Sequence, residues 1–181
     1  MDFGIAVDAD NEYVMIDATI VRAHQHAAGA LKKNGQDTKD VRKQEAIGRS
    51  KGGLTTKIHA LVDALGNPLD FILTPGQACD LEGSDAFLPN ITAEAVLADK
   101  AFDADERVIK PLERAGIKAV IPSKSNRKTP RAHDEDMYKS RHLIENFFAK
   151  LKQFRDMFND AKTARNFLAA VFLVGAYVGL N

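Results

Sequence analysis

The chain has 181 residues with 25 acidic and 25 basic side chains, so it carries no global field that would draw it to nucleic acid. Its 45% hydrophobic content suits one globular domain with a substantial core. A single cysteine, Cys79, excludes an internal disulfide and a cysteine-rich zinc site and points to a reducing cytoplasm. The opening "MDFGIAVDAD" is acidic where a secretory signal would be basic. Charge is nevertheless segregated. The stretch from Leu31 to His59 and the stretch "SKSNRKTPRAH" are basic, whereas acids gather around Asp8 to Glu12 and from Asp80 to Asp105.

In chain order, "EYVMIDATIV" is rich in β-branched residues and predicts a strand. A basic, weakly periodic stretch from about residue 22 to 53 predicts a mobile loop. It holds His24 and His26, too few ligands for a zinc site, and the "GRSKGG" run with Arg49 and Lys51, suited to a phosphate backbone. "LTTKIHALVDA" and "PLDFILTPG" predict two strands joined by the turn residues "LGNP", an antiparallel hairpin. Asp80 is placed to cap a short helix in "DLEGSDAFLPNI". "EAVLADKAF" predicts a strand ending at Asp99, and "DADERVIKPLERAG" a helix kinked by Pro111 and closed by Gly116. "KAVIPSK" is a further strand. Helices around Tyr138 to Met157 and Ala164 to Leu180 complete the chain, the second too short to span a bilayer and read as a buried core helix. The order implies an α/β fold, a mixed sheet with helices packed on it, in a single domain over residues 1–181.

The helix "YKSRHLIENFFAKLK" sets large apolar residues on one side. On the other, Tyr138, Arg141, Glu145 and Lys152 fall within an arc of about 60° at helical spacing. Alone, that arc is also what a solvated stripe with ordinary ion pairs looks like. Asp17 within the first strand and Asp99 after "AVLA" are unusual places for carboxylates, because an ionised carboxylate in a sheet needs cationic compensation. Taken singly, Asp17 also suits a strand edge and Asp99 a helix cap. Should the late helix pack beside the sheet, Asp17, Asp99 and Glu145 converge, and oxygen ligands of that kind suit Mg2+ or Mn2+. Two such ions about 4 Å apart can activate an attacking oxygen and stabilise a leaving one in phosphoryl transfer.

Three blocks carry a resemblance. They are "IDATIVRAHQHAAGA" around Asp17, "GRSKGGLTTKIHALVDALGNPLDFILTPGQACD" leading to "LADKAFD" around Asp99, and the spacing Y-x2-R-x3-E-x6-K met by Tyr138, Arg141, Glu145 and Lys152. The chain resembles a DDE transposase of bacterial insertion sequences, in the insertion-sequence-five-like group. The resemblance implies a ribonuclease-H-like fold in which Asp17, Asp99 and Glu145 are the catalytic acids and hold two Mg2+ or Mn2+ ions. It also implies DNA, both element ends and target, as partner, with water cutting a phosphodiester and the freed 3′ hydroxyl then attacking target DNA. Arg141, Lys152, Tyr138, Arg49 and Lys51 would contact DNA, and the pattern admits a homodimer on DNA, with no membrane role. The location implied is cytoplasmic, on the nucleoid when DNA is bound.

Family members carry a helical N-terminal region that helps recognise element ends, and the chain starts close to its first catalytic strand, so that region is expected to be missing. "FRDMFNDAKTARNF", with Lys162 and Arg165, is less basic than the family pattern. The competing reading is a catalytically silent DNA-binding remnant of a transposase, which three intact acids argue against. A general ribonuclease-H-like nuclease is disfavoured by the four-residue signature.

Overall fold

The computed structural model describes residues 10, 12–22, 45–159 and 163–179 of the protein. His24, His26, Lys162 and most of the expected loop lie outside those residues. Six strands form one sheet: β1 Tyr13–Arg22, β2 Gly48–Ser50, β3 Gly53–Val62, β4 Pro68–Pro75, β5 Ala95–Ala98 and β6 Lys118–Val120. β1 runs antiparallel to β3 and parallel to β5, which is parallel to β6. The outer edge of β3 is shared end to end by β2 and β4, both antiparallel to it. Leaving β2 aside, the strands therefore lie in the order β4-β3-β1-β5-β6, an antiparallel half joined to a parallel half. This is the ribonuclease-H-like arrangement.

The expected hairpin is β3–β4. Asp63 fixes its turn by accepting from the backbone N–H of Leu65 and of Asn67, at 2.9 and 2.8 Å. The expected loop over 22–53 is corrected at both ends. Arg22 completes β1, and Gly48–Ser50 form β2, because Gly53 at φ 97° turns the chain tightly back on itself.

Side chains alternate across the strands, which divides the core into two layers. Met15, Ile58, Ala60, Phe71 and Leu97 face α4 (His142–Gln153) and α6 (Ala164–Gly179). Val14, Ile16, Val96 and Ala98 face α1 (Leu81–Phe87) and the segment around α2 (Lys110–Arg114). The helix expected at Asp105 is a π turn, Asp105–Ile109, leading into α2. Pro111 has no N–H and its ring crowds the preceding turn, which widens so that the Lys110 N–H bonds Asp105 rather than Glu106. Gly116, at φ 73°, closes α2 as expected.

The late helix is also interrupted. α3 (Glu135–Lys139) carries Tyr138, Arg141 sits at the N-cap of α4, and α5 (Arg155–Asn159) follows a break at Phe154. Asp80 precedes α1 without capping it, because Lys57 takes its carboxylate at 2.6 Å. α6 presses one face onto β4, where a Cβ on Gly175 would fall 2.7 Å from Phe71. Its other face leaves Leu173 and Tyr177 exposed, so it is a half-buried helix rather than a fully buried one. No described helix is long and apolar enough to cross a membrane.

A buried polar pair beneath α1 gives a pH prediction. His59 is fully buried, with Nε2 2.8 Å from Thr74 Oγ1 and Nδ1, against Gly83, without a hydrogen-bond partner among the described residues. Burial, assisted by Lys57, pushes its pKa down from 6.5 to about 4. The folded protein keeps this ring neutral while the unfolded chain takes up a proton below 6.5. Its contribution is therefore complete above pH 6.5 and is lost as pH falls towards 4, about 3 kcal/mol in all. Urea unfolding at pH 7 and pH 4.5 should show that loss in the wild type and a much smaller one in His59→Gln.

Candidate active site

The parallel ladder pairs Tyr13 with Ala95 through Ile16 with Ala98, so the next rung brings Asp17 beside Asp99 on strands about 4.8 Å apart. Both follow the alternation of Met15 and Leu97, and so face the layer that α4 covers. Asp99 Oδ1 accepts from the Ala101 N–H at 2.6 Å and caps the short turn Lys100–Phe102. The cap and the site are compatible, since one oxygen serves the turn.

Asp17 Oδ1 accepts from the Ala18 N–H at 2.8 Å and Oδ2 from Arg141 Nη2 at 2.9 Å. The other arm of Arg141, Nη1, donates to Glu145 Oε1 at 2.5 Å. One guanidinium, 124 residues from Asp17 in sequence, thus ties the sheet carboxylate to the helix carboxylate. Its Nε is buried without a partner among the described residues. Burial raises the pKa of Asp17; Ala18 and Arg141 pull it down and Asp99 pushes it up, leaving it above the usual carboxylate range. Burial likewise raises the phenol of Tyr138, which feels Arg141 and all three acids and packs edge-on to His133 with centroids 5.4 Å apart.

Five of the expected residues are thus gathered: Asp17, Asp99, Tyr138, Arg141 and Glu145. Three are not. Lys152 is exposed on the Glu145 face of α4, roughly 10 Å further along the axis. Arg49 pairs with Leu54 on β3, six rungs from the Ala60 that pairs with Asp17, and so stands roughly 20 Å away along the strand with Lys51 in the adjoining turn.

A second charged network was not expected. Asp103, with a side chain only 1% exposed, accepts from Arg127 Nε and Nη2 at 2.8 and 2.7 Å, from the Lys124 N–H at 2.8 Å, and from Arg131. Asp105 takes the remaining arms of both arginines. Burial would raise the Asp103 carboxyl, but the donors from Arg127, Lys124 and Arg131 outweigh it and bring it to about 2. The sequence signals were an acid-free basic stretch and a separate acidic run, with nothing to indicate that they meet.

The gathered donor set is carboxylate oxygen, which is what a hard divalent cation takes. Among the described residues, no three His, Cys, Asp or Glu side chains stand close enough together to hold an ion. The reason is local: Arg141 lies between Asp17 and Glu145. Glu145 is 57% exposed, so its side chain is free to turn, and the set fits a cation once the guanidinium moves aside.

Asp17, within β1, and Asp99, just past the end of β5, thus stand on neighbouring strands of the mixed sheet, with Arg141 joining Asp17 to Glu145. Residues 9–178 match the family model of the transposase DDE domain, and the chain belongs to that family, an enzyme class acting on the phosphodiesters of DNA. It is 37% identical over 132 residues to a Brucella ovis protein named as a candidate transposase for insertion sequence element IS6501, covering 71% of this chain and all of that protein. A 31-residue segment is 64% identical to an uncharacterised protein of Sinorhizobium fredii, covering 17% of this chain and 25% of that one. The catalytic core domain of BIV integrase overlays on 90% of this chain and 82% of its own, with a TM-score of 0.44 and 12% identity.

Proposed function

We propose that the chain is the catalytic domain of an insertion-sequence transposase, and that Asp17, Asp99 and Glu145 are its catalytic acids. The observation that carries this is the juxtaposition of Asp17 and Asp99 on neighbouring strands, with Glu145 bridged to Asp17 by Arg141. Asp17, Asp99 and Glu145 would hold two Mg2+ or Mn2+ ions. When bound, these supply a nucleophilic oxygen at neutral pH and compensate charge on the leaving oxygen.

The residues of the chain account for the rest. The middle of β1 and the end of β5 fix two carboxylates, and the helix adds a third whose side chain can adjust. Arg141, displaced from between them, would take a phosphate oxygen with its fork of donors, which keeps the charge of the site balanced when DNA enters. Tyr138, packed edge-on against His133, would contact the end of the DNA strand. In the first reaction a water oxygen bonds to phosphorus as the P–O3′ bond breaks, leaving a 3′ hydroxyl and a 5′ phosphate. In the second, that 3′ oxygen bonds to a target phosphorus as the target's own P–O3′ bond breaks. Lys152, Arg49 and Lys51, lying outside the acid cluster, suit contacts to DNA further from the reacting phosphate.

The test is cleavage of labelled DNA carrying the element's terminal repeats, in Mg2+ or Mn2+. Glu145→Gln should lose cleavage while binding DNA within about threefold of wild type, because the amide keeps the size of the side chain and removes its charge. Equal cleavage by the two proteins would remove Glu145 from the site.

A further inference from the structure

Beside Asp99 lies an open cleft of about 500 Å³ lined by Asp99, Lys100, Ala101, Lys124, Ser125 and Asn126. Apart from Asp99, its polar side chains are two ammonium groups, a hydroxyl and an amide, a set that presents hydrogen-bond donors to an anion. The arginines beside the cleft and the lysines that line it differ in their partners. Arg127 and Arg131 are committed to Asp103 and Asp105. Lys100 and Lys124 have no carboxylate partner among the described residues. The same network fixes the wall of the cleft, because Asp103 holds the backbone N–H of Lys124 itself and Arg131 N–H donates to Ser123 Oγ at 2.8 Å.

The arginines therefore brace the loop, and the lysines are left for something outside the protein. A cleft with two unpaired ammonium groups, opening onto a carboxylate, suits a chain of anions that passes the carboxylate, rather than a free carboxylate ligand or a protein strand. We infer that this cleft holds the DNA phosphodiester next to the one that is cut. Lys100 and Lys124 neutralise it, Ser125 and Asn126 donate to its oxygens or the adjoining sugar, and Arg127 and Arg131 act as positioning residues. This rests on the transposase reading above and adds to it a site for the flanking nucleotide.

The experiment measures binding in Ca2+ of a duplex carrying the terminal repeat that brackets the encoding gene, from 50 to 300 mM salt. Two forms of the duplex are used, one natural and one with an uncharged methylphosphonate replacing the phosphate next to the cleavage position. The proteins are wild type, K100A/K124A and, as a remote surface control, Arg114→Ala.

Each phosphate neutralised on a duplex contributes about 0.9 to the slope of log affinity against log salt, so the double variant, which leaves this one phosphate without its cations, should lower the slope by about 0.9 and Arg114→Ala should leave it unchanged. The methylphosphonate should weaken wild-type binding about tenfold and the double variant by less than twofold. Lys124→Gln, which keeps the length of the stem, should give an intermediate slope, with an unchanged thermal midpoint. An unchanged slope, or an equal methylphosphonate penalty in wild type and double variant, would overturn the cleft while leaving the catalytic acids standing. Failure of the wild type to bind the duplex in a salt-dependent way would overturn both.

Discussion

Asp99→Asn is expected to reduce DNA strand cleavage by about a thousandfold while leaving the fold in place. The two halves of this expectation come from different atoms of one side chain. Asp99 Oδ1 caps the turn Lys100–Phe102 through the Ala101 N–H, a role an asparagine oxygen performs equally well. Thermal midpoint and DNA binding should therefore hold. What asparagine lacks is the negative charge that a hard cation needs beside Asp17. Loss of about 4 kcal/mol of transition-state stabilisation corresponds to that thousandfold, at 1.36 kcal/mol per tenfold. Cleavage assays at saturating Mg2+ with matched binding curves check this; cleavage within tenfold of wild type would take Asp99 out of the chemistry.

The largest expected effect on stability comes from Asp103→Ala. That substitution leaves Arg127 and Arg131 facing only the exposed Asp105, and it orphans the Lys124 N–H. Removing one partner of a buried charge pair costs about 3–5 kcal/mol; with the two arginines 19% and 28% exposed, about 3 is expected here. Chemical denaturation at pH 7 measures it. The pH dependence gives a second check. The Asp103 carboxyl lies at about 2 in the folded protein against 3.8 unfolded, so its contribution is present above pH 3.8 and lost as pH falls towards 2. The stability gap between wild type and variant should shrink across that window by about 2 kcal/mol.

How far the sequence revealed this arrangement varied from element to element. Long alternating strands such as "YVMIDATIVR" and the hairpin around "LGNP" declare themselves through period and turn residues, which are local properties. The acids at 17, 99 and 145 stood out through the three blocks that resemble the transposase family, since taken singly each also suits a structural place. Less legible was anything decided by tertiary partners. Asp80 has the residue type and position of a cap, yet Lys57, invisible as its partner along the chain, takes its carboxylate. Arg127 and Arg131 stand in a basic stretch with no acid of its own, but Asp103 and Asp105 claim both of them. The helix over Tyr138 to Met157 reads as continuous because its apolar spacing persists across breaks at Ser140–Arg141 and Phe154. Lys152 keeps the spacing of its signature without joining the acids, since helical phase fixes direction and not distance.

The central claim is that Asp17, Asp99 and Glu145 jointly hold divalent cations once Arg141 yields its place. Anomalous X-ray scattering from crystals grown with Mn2+ and a DNA end tests it most directly. Manganese peaks about 2.0–2.2 Å from carboxylate oxygens of all three residues, with Arg141 turned onto a phosphate, are the predicted result. Manganese bound elsewhere, or a site in which Arg141 still joins Asp17 to Glu145 with DNA present, would contradict it.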